Sequence, residues 1–178
     1  RMIQNILDIG RAEQVGLELH KTRIQLSQWI PSLLKEVESL AQSRGHDLVW
    51  DCPPDLVVEA DPEFLRRLLL NLLDNALKYS TQGCCTRLEA QRTEGGIRLG
   101  VRDQGLGVPE HMREQIFRKF VRIEEDQPDN RSSSGLGLTF CQLVAEAHEG
   151  RIWVEENQPR GSLFLLELPD ALPIPPAV

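Results

Sequence analysis

The sequence predicts an α/β two-layer sandwich: a mixed, largely antiparallel sheet of about five strands, backed by three helices. Three observations support this fold class. Short stretches that alternate apolar and polar residues recur along the chain, and three longer segments repeat apolar residues at helical spacing. The chain has 178 residues, of which 40% are hydrophobic and 26% charged, so it can bury one sizeable core. We therefore expect one main globular domain.

The composition limits the classes of ligand. A net charge of −7 argues against general affinity for nucleic acid or anionic lipid, because both require a basic face. The apolar runs are far shorter than the ~18 residues of a membrane span, and Arg1-Met2 does not open a signal peptide. We expect a cytoplasmic location without direct membrane contact, whether or not a longer parent is membrane-anchored. The cysteines lack metal-site spacing and should be reduced structural thiols: Cys52, Cys84, Cys85 and Cys141.

The N-terminal elements follow from apolar spacing. Residues 1–16 repeat apolar positions at near-helical intervals but cannot form a core alone, so we expect the end of a longer helix that packs elsewhere. Residues 17–24 alternate like a short strand. Ser27 can cap the next helix, whose apolar positions run from Trp29 to Leu40 and which should end before Gly45.

Two short strands and the second helix come next. Leu48–Trp50 and Leu56–Val58 read as strands, and Pro53-Pro54 between them marks a turn. Asp61-Pro62 favours a helix start, because aspartate caps well and proline suits the first helical position. This second helix should continue through the leucine-rich segment Leu68–Ser80.

The C-terminal half begins with a predicted hairpin. Thr86–Arg92 and Ile97–Arg102 alternate on either side of the turn Glu94-Gly95-Gly96. Pro109–Phe120 reads as a modest helix, and residues 122–134 are polar and charged, which predicts a loop.

The third helix and the closing strands complete the domain. Gly135–Leu138 opens an apolar helix that Gly150 closes. Arg151–Glu155 and Ser162–Leu168 are predicted strands. Residues 169–178 form a proline-rich tail that we expect to be disordered.

The second helix carries a polar stripe that suits a polyanion held with a metal. At 100° per residue, Arg67, Asn71, Asp74, Asn75 and Lys78 fall on one side of the helix, while leucines occupy the other. Two amides and one ammonium therefore project together. On this segment alone, an ordinary solvated helix face is the better explanation.

Two glycine motifs downstream make a binding site more plausible than a simple solvated helix face. Asp103-x-Gly105-x-Gly107 follows a strand, and Gly135-Leu-Gly137 opens a helix. Each alone is more often a simple turn or a close packing contact. Exposed backbone N–H groups at the helix start can bind phosphate, and an amide oxygen can complete a Mg²⁺ shell. Asp103 can accept a hydrogen bond from an exocyclic amine, while its glycines allow a tight turn beneath a flat base.

These motifs resemble those of the ATP-binding catalytic domain of two-component sensor histidine kinases, within the wider group that includes gyrase, Hsp90 and MutL. Asn71–Tyr79 matches the N box, Asp103–Gly107 the G1 box, Phe117–Arg122 the F box and Ser134–Leu138 the G2 box. The likeness runs over about residues 17–168. It implies a Bergerat-type ATP-binding fold, with MgATP between the helix layer and a mobile lid.

The resemblance also implies roles for individual residues. Asn75 would hold Mg²⁺, and Asn71 and Lys78 would face the phosphates as catalytic residues. Asp103 would bind the adenine amino group, and Arg122 would reach the γ-phosphate from the lid. Phe117 and Phe120 would anchor the lid, although ordinary core contacts explain them equally well. The implied nucleotide-binding set is Asn71, Asn75, Lys78, Tyr79, Asp103, Gly105, Gly107, Phe117, Phe120, Ser134, Gly135, Leu136, Gly137 and Leu138.

Asn71 discriminates within the wider group. The ATP-hydrolysing relatives carry a glutamate there as general base, and an amide cannot abstract a proton near neutral pH. The implied reaction is therefore transfer of the γ-phosphate from MgATP to a histidine. The resemblance also implies a response regulator as a partner. Two alternatives stay open: a related ATPase or serine kinase, and a degenerate scaffold that binds ATP without turnover.

The phosphoacceptor itself is predicted to lie elsewhere. Residues 1–16 resemble the end of the second helix of the dimerisation and phosphoacceptor domain, which forms homodimers in the family. None of the histidines has the acceptor motif, and each is expected to be a surface or packing residue: His20, His46, His111 and His148. We therefore expect a fragment comprising residues 1–16 as helix end and linker, 17–168 as catalytic domain and 169–178 as tail, which alone would not autophosphorylate. Ser132-Ser133 replaces glycines common in the family and predicts slower lid closure.

Overall fold

The computed structural model describes residues 9–10, 16–123 and 135–170. The strands are β1 Thr22–Gln25, β2 Asp47–Asp51, β3 Val57–Ala60, β4 Cys85–Thr93, β5 Gly96–Arg102, β6 Arg151–Glu156 and β7 Ser162–Leu168. The α-helices with described bounds are α1 Leu26–Ser43, α2 Pro62–Tyr79 and α3 Gly137–Ala147. The expectations for residues 1–8, 11–15 and 171–178 lie outside the described residues.

The main sheet has five strands in the order β2-β4-β5-β7-β6. Only β2 and β4 run parallel, and the other neighbours pair antiparallel, so the mixed and largely antiparallel sheet is confirmed. β1 and β3 form a second, two-stranded sheet. The sequence did not predict that these two strands lie outside the main sheet.

The helices cover one face of the main sheet and enclose a single core. Leucines of α2, among them Leu69 and Leu73, are fully buried. Leu88, Val101 and Phe164 lie side by side across β4, β5 and β7 and are also buried. Apolar burial of this kind is the main term that stabilises the fold. Ile9 is buried against the same core.

Two predicted starts in the N-terminal region are wrong. Ser27 does not cap α1, because the helix already begins at Leu26, which is fully buried and whose N–H donates to the carbonyl of Leu56 (3.0 Å). The Ser27 hydroxyl instead donates to the Pro54 carbonyl (3.1 Å). The first strand begins only at Thr22, since the His20 N–H donates to the Asp61 carboxylate (2.8 Å) rather than to a neighbouring strand.

The helix predicted over Pro109–Phe120 is also wrong. The segment forms two 3₁₀ turns, Glu110–Met112 and Gln115–Phe117. Only Ile116 and Phe117 are buried in it, so there is no apolar stripe long enough to support an α-helix. The backbone of Phe120 then enters the left-handed region (φ 62°), which ends the turn.

The four cysteines are free thiols, as predicted. Among the described residues, no helix is both long and apolar enough to cross a membrane.

Candidate functional site

The polar stripe of α2 is held by a well-specified helix. Asp61 caps its N-terminus by accepting from the N–H groups of Glu63 and Phe64 (both 3.0 Å), and Pro62 occupies the first turn, as predicted. The leucine face is buried, while Asn71, Asn75 and Lys78 are half-buried. The stripe therefore borders a partly enclosed space and is not a fully solvated face.

The head of α3 meets this stripe at Asn71. A Cβ on Gly137 would lie 3.6 Å from Asn71 Oδ1, so the first residue of α3 faces the amide directly. Among residues 16–123 and 135–170, no side chain caps α3, and its N-cap residue Leu136 is buried. The free N–H groups and the positive end of the helix dipole at such a terminus favour an anion. Leu138, in the first turn of α3, is half-buried.

Asp103 forms a second polar point of the site. It is only 4% exposed, and its N–H donates to the Ser162 carbonyl (2.9 Å). The N–H groups of Gly105 (2.8 Å) and Ser162 (3.1 Å) both donate to Oδ1 of its carboxylate. Burial raises the pKa of the carboxyl, and hydrogen bonds from these two backbone groups and from the Ser162 side chain oppose the rise. Neither backbone donor reaches Oδ2.

Gly105 brings the Asp103 loop against the end of α2. A Cβ at Gly105 would lie 2.5 Å from the carbonyl oxygen of Tyr79, which no real side chain can tolerate. The Lys78 ammonium lies 5.6 Å from the Tyr79 ring centroid. The predicted N box and G1 box are thus in contact, and Gly107 (φ 83°) turns the chain away against the backbone of Gly161.

The F box and the G2 box meet at one hydrogen bond. Phe120 N–H donates to the Gly135 carbonyl (3.1 Å), so the two ends of the intervening segment lie together. Phe117 is buried in the core, whereas Phe120 is 72% exposed and makes no core contact. Arg122 is exposed beside this junction. Ser132, Ser133 and Ser134 lie outside the described residues, so the hinge and Ser134 predictions stay predictions.

Three residues beside Asp103 were missed by the sequence reasoning. Ser162 supplies a backbone donor to the Asp103 carboxylate, Gly161 packs its bare Cα against the Asp103 carbonyl, and the Asn157 amide donates to that carbonyl (2.6 Å). The pair Gly161-Ser162 at the head of an apolar strand was the one available signal. Asn157 had none, because its partner lies 54 residues away in the sequence.

The donor set fits Mg²⁺ bound with phosphate better than a metal bound by protein alone. Among the described residues there is no group of three or more histidine, cysteine, aspartate or glutamate side chains that could hold a metal. Within the same part of the chain, the half-buried amide of Asn75 makes no hydrogen bond to protein. Mg²⁺ commonly takes one or two protein oxygens and completes its shell with water and substrate phosphates.

Comparison with known proteins agrees with this geometry. Residues 60–172 match the family model of histidine kinase-, DNA gyrase B- and HSP90-like ATPases. The adaptive-response sensory kinase SasA of Crocosphaera subtropica is 33% identical over 171 residues, which cover 95% of this chain and 44% of that protein. The chain thus spans less than half the length of this curated relative.

Solved structures show the same fold. The catalytic domain of histidine kinase ThkA has a TM-score of 0.76 at 25% identity, covering 85% of this chain and 97% of that one. Full-length ShkA in complex with AMPPNP has a TM-score of 0.82 at 25% identity, covering 99% of this chain and 36% of that one. The fold class predicted from the sequence is confirmed. The chain belongs to the family of histidine kinase-, DNA gyrase B- and HSP90-like ATPases.

Proposed function

We propose that the chain is the ATP-binding catalytic part of a sensor histidine kinase, which binds MgATP and donates the γ-phosphate to a histidine of a dimerisation domain. The observation that carries this proposal is that the α2 stripe meets the head of α3 at Asn71, while the end of α2 meets the loop of the buried Asp103 at Tyr79. An anion site and a base-recognising carboxylate then lie on the two sides of one polar helix face.

Each side chain has a defined task in this proposal. Asn75 holds Mg²⁺ through its amide oxygen, and Mg²⁺ when bound neutralises phosphate charge. Asn71 and Lys78 orient the phosphates with the N–H groups of α3, and Arg122 approaches the γ-phosphate from the lid. The Asp103 carboxylate accepts a hydrogen bond from the adenine amino group. Phosphoryl transfer needs positioning and charge neutralisation more than covalent chemistry from the protein.

Asn71 favours transfer to a protein side chain over hydrolysis. Its amide cannot act as a general base for water near neutral pH. Asn71 is half-buried against the head of α3 and the thiol of Cys141. This is the position, beside the proposed phosphate site, from which a general base for hydrolysis would have to act. A related ATPase or serine kinase is therefore the weaker alternative.

The partners follow from the family. The SasA relatives are named sensory kinases, and the ShkA structure contains AMPPNP, which supports a nucleotide triphosphate as ligand. We propose that a dimerisation and phosphoacceptor domain, a homodimeric parent protein and a response regulator complete the system in the cytoplasm. The net charge of −7 supports the absence of nucleic acid from this set.

Calorimetric titration with a non-hydrolysable ATP analogue, with and without Mg²⁺, tests the proposal. We expect saturable binding with one site per chain, and tighter binding when Mg²⁺ is present, because Asn75 would hold the metal and the metal would neutralise phosphate charge. If no heat of binding is measured at millimolar nucleotide, the kinase proposal is contradicted and the degenerate scaffold is favoured. Ser132-Ser133, in place of the family's glycines, is the sequence feature that supports this alternative.

A further inference from the structure

We propose that Asn157 is a positioning residue that orients Asp103 and thereby sets the preference of the site for an adenine base. This inference deepens the proposed function and rests on it. Asn157 lies at the end of β6, just before the turn into β7, and is only 2% exposed. A buried amide must satisfy its donors and its acceptor within the protein, so its partners decide what it does.

The Asn157 side chain joins two residues that are remote from its own turn. Its Nδ2 donates to the Asp103 carbonyl (2.6 Å), and its Oδ1 accepts from the Arg102 guanidinium (2.7 Å). An asparagine that only stabilised the turn would bond the turn backbone with its amide. In this turn the bond that closes it, from the Asn157 N–H to the Gly161 carbonyl (3.0 Å), uses the main chain instead. The amide is therefore committed to Asp103.

The orientation of the amide is fixed by Arg102. A guanidinium only donates hydrogen bonds, so the oxygen of the amide must face it and the NH₂ group must face Asp103. Arg102 is itself held by Glu89, since its Nη2 donates to Oε1 (3.0 Å). A chain of polar contacts thus runs from Glu89 on β4 through Arg102 to the Asn157 amide.

Asn157 completes the restraint on the Asp103 backbone. The Asp103 N–H is held by the Ser162 carbonyl (2.9 Å), and its C=O is held by the Asn157 amide. Gly161 lets the turn lie against this carbonyl, because a Cβ there would collide with it. With both backbone groups held, the Cα–Cβ bond has one direction, and with Oδ1 held by the N–H groups of Gly105 and Ser162 the carboxylate has one orientation. A small rotation would weaken the hydrogen bond to the base, since such bonds depend on angle.

A cycle of two protein forms and two nucleotides tests this role. The ligands are ADP and purine riboside 5′-diphosphate, which lacks only the 6-amino group, both titrated with Mg²⁺ by calorimetry. Asn157→Asp keeps the size and the acceptor for Arg102, but it replaces the donor to the Asp103 carbonyl with an oxygen. Wild type should bind ADP at least tenfold more tightly than the analogue, because the analogue cannot donate the hydrogen bond to the charged carboxylate.

In Asn157→Asp this ratio should fall to about threefold or less, because the Asp103 carboxylate is no longer held in the orientation that accepts from the amino group. Both nucleotides titrate the same sample, so a loss of folded protein cannot change the ratio. Asn157→Ala removes the donor without adding a charge and should give the same fall. Gln158→Glu makes the same charge change on the exposed neighbouring side chain and should keep the wild-type ratio.

The outcomes separate the two claims. A wild-type ratio that persists in both Asn157 variants would overturn the positioning role alone. A wild-type ratio near one would overturn the assignment of Asp103 to the adenine amino group, and the positioning role with it. A ratio that falls equally in Gln158→Glu would show a general effect of charge near the turn and would also overturn the inference.

Discussion

Gly105 allows two elements of the candidate site to pack closely, because it has no side chain. The carbonyl oxygen of Tyr79 lies only 2.5 Å from the position that a Cβ would take, and the Gly105 N–H donates to Asp103 Oδ1. One residue therefore sets the distance between the end of α2 and the Asp103 loop. Such close backbone approach is available only to glycine.

Replacement of Gly105 by alanine should separate these two elements. A methyl group 2.5 Å from a carbonyl oxygen forces the backbone to shift, and overpacking of this kind costs ~1–3 kcal/mol. We expect a lower free energy of unfolding in urea and at least tenfold weaker binding of MgADP. Gly10→Ala is the matched control, because a Cβ there meets nothing within 4 Å. Wild-type nucleotide affinity in Gly105→Ala would contradict the contact between the two boxes.

At the scale of elements, Glu167 on β7 binds side chains of the three strands β4, β5 and β6. Its side chain is 7% exposed and lies 2.8 Å from Arg98 Nη2 on β5 and 2.6 Å from Arg151 Nη2 on β6. The Thr93 hydroxyl also donates to it (2.9 Å). Burial alone would raise the pKa of this carboxyl, but the hydrogen bonds from Arg151, Arg98 and Thr93 outweigh it and lower the pKa to about 2.

This network should make the fold sensitive to acid through Glu167. The pKa is lower in the folded chain than its ordinary 4.5, so the stabilisation is complete above pH 4.5 and is lost as the pH falls towards 2. Glu167→Gln should lower the unfolding free energy by about 2 kcal/mol at pH 7, because hydrogen bonds to charged groups contribute that much. The difference from wild type should shrink as the pH falls from 5 to about 2.5.

Urea unfolding of both proteins across this pH range measures the difference, in which the other carboxyls cancel. Glu94→Gln, on an exposed turn residue, is the control and should match wild type at every pH. A difference between Glu167→Gln and wild type that is constant with pH would show that the charge of Glu167 contributes nothing.

Several elements could be predicted because local residues decide them. Asp61 caps α2 as its position before Pro62 predicts, and the β4–β5 hairpin follows from alternation around Gly95-Gly96. Other features depend on partners distant in the sequence. Leu26 begins α1 because the loop at Leu56 accepts its N–H, and no local signal shows that. His148 is buried because its Nε2 accepts from the N–H of Asp61 (2.9 Å).

For the whole molecule, motif order was sufficient to predict which elements meet, but not which residues support their contacts. The stripe of α2, the Asp103 loop and the head of α3 come together as the resemblance implied. Asn157 and Ser162 could not be predicted as partners of Asp103, because they reach it only when the β6–β7 turn lies against it. Tertiary contacts of this kind leave no periodic pattern in a sequence.

The central claim is that the α2 stripe binds nucleotide through a metal held by Asn75. Calorimetric titration of Asn75→Ala and of Asp74→Ala with a non-hydrolysable ATP analogue tests it most directly. Asp74 is the exposed neighbour of Asn75 on the same helix and serves as the matched control.

In Asn75→Ala, addition of Mg²⁺ should no longer strengthen binding, because the amide ligand is gone, while thermal unfolding stays cooperative. Asp74→Ala should keep the Mg²⁺-dependent affinity of wild type. Binding by Asn75→Ala that Mg²⁺ strengthens as much as in wild type would contradict the account.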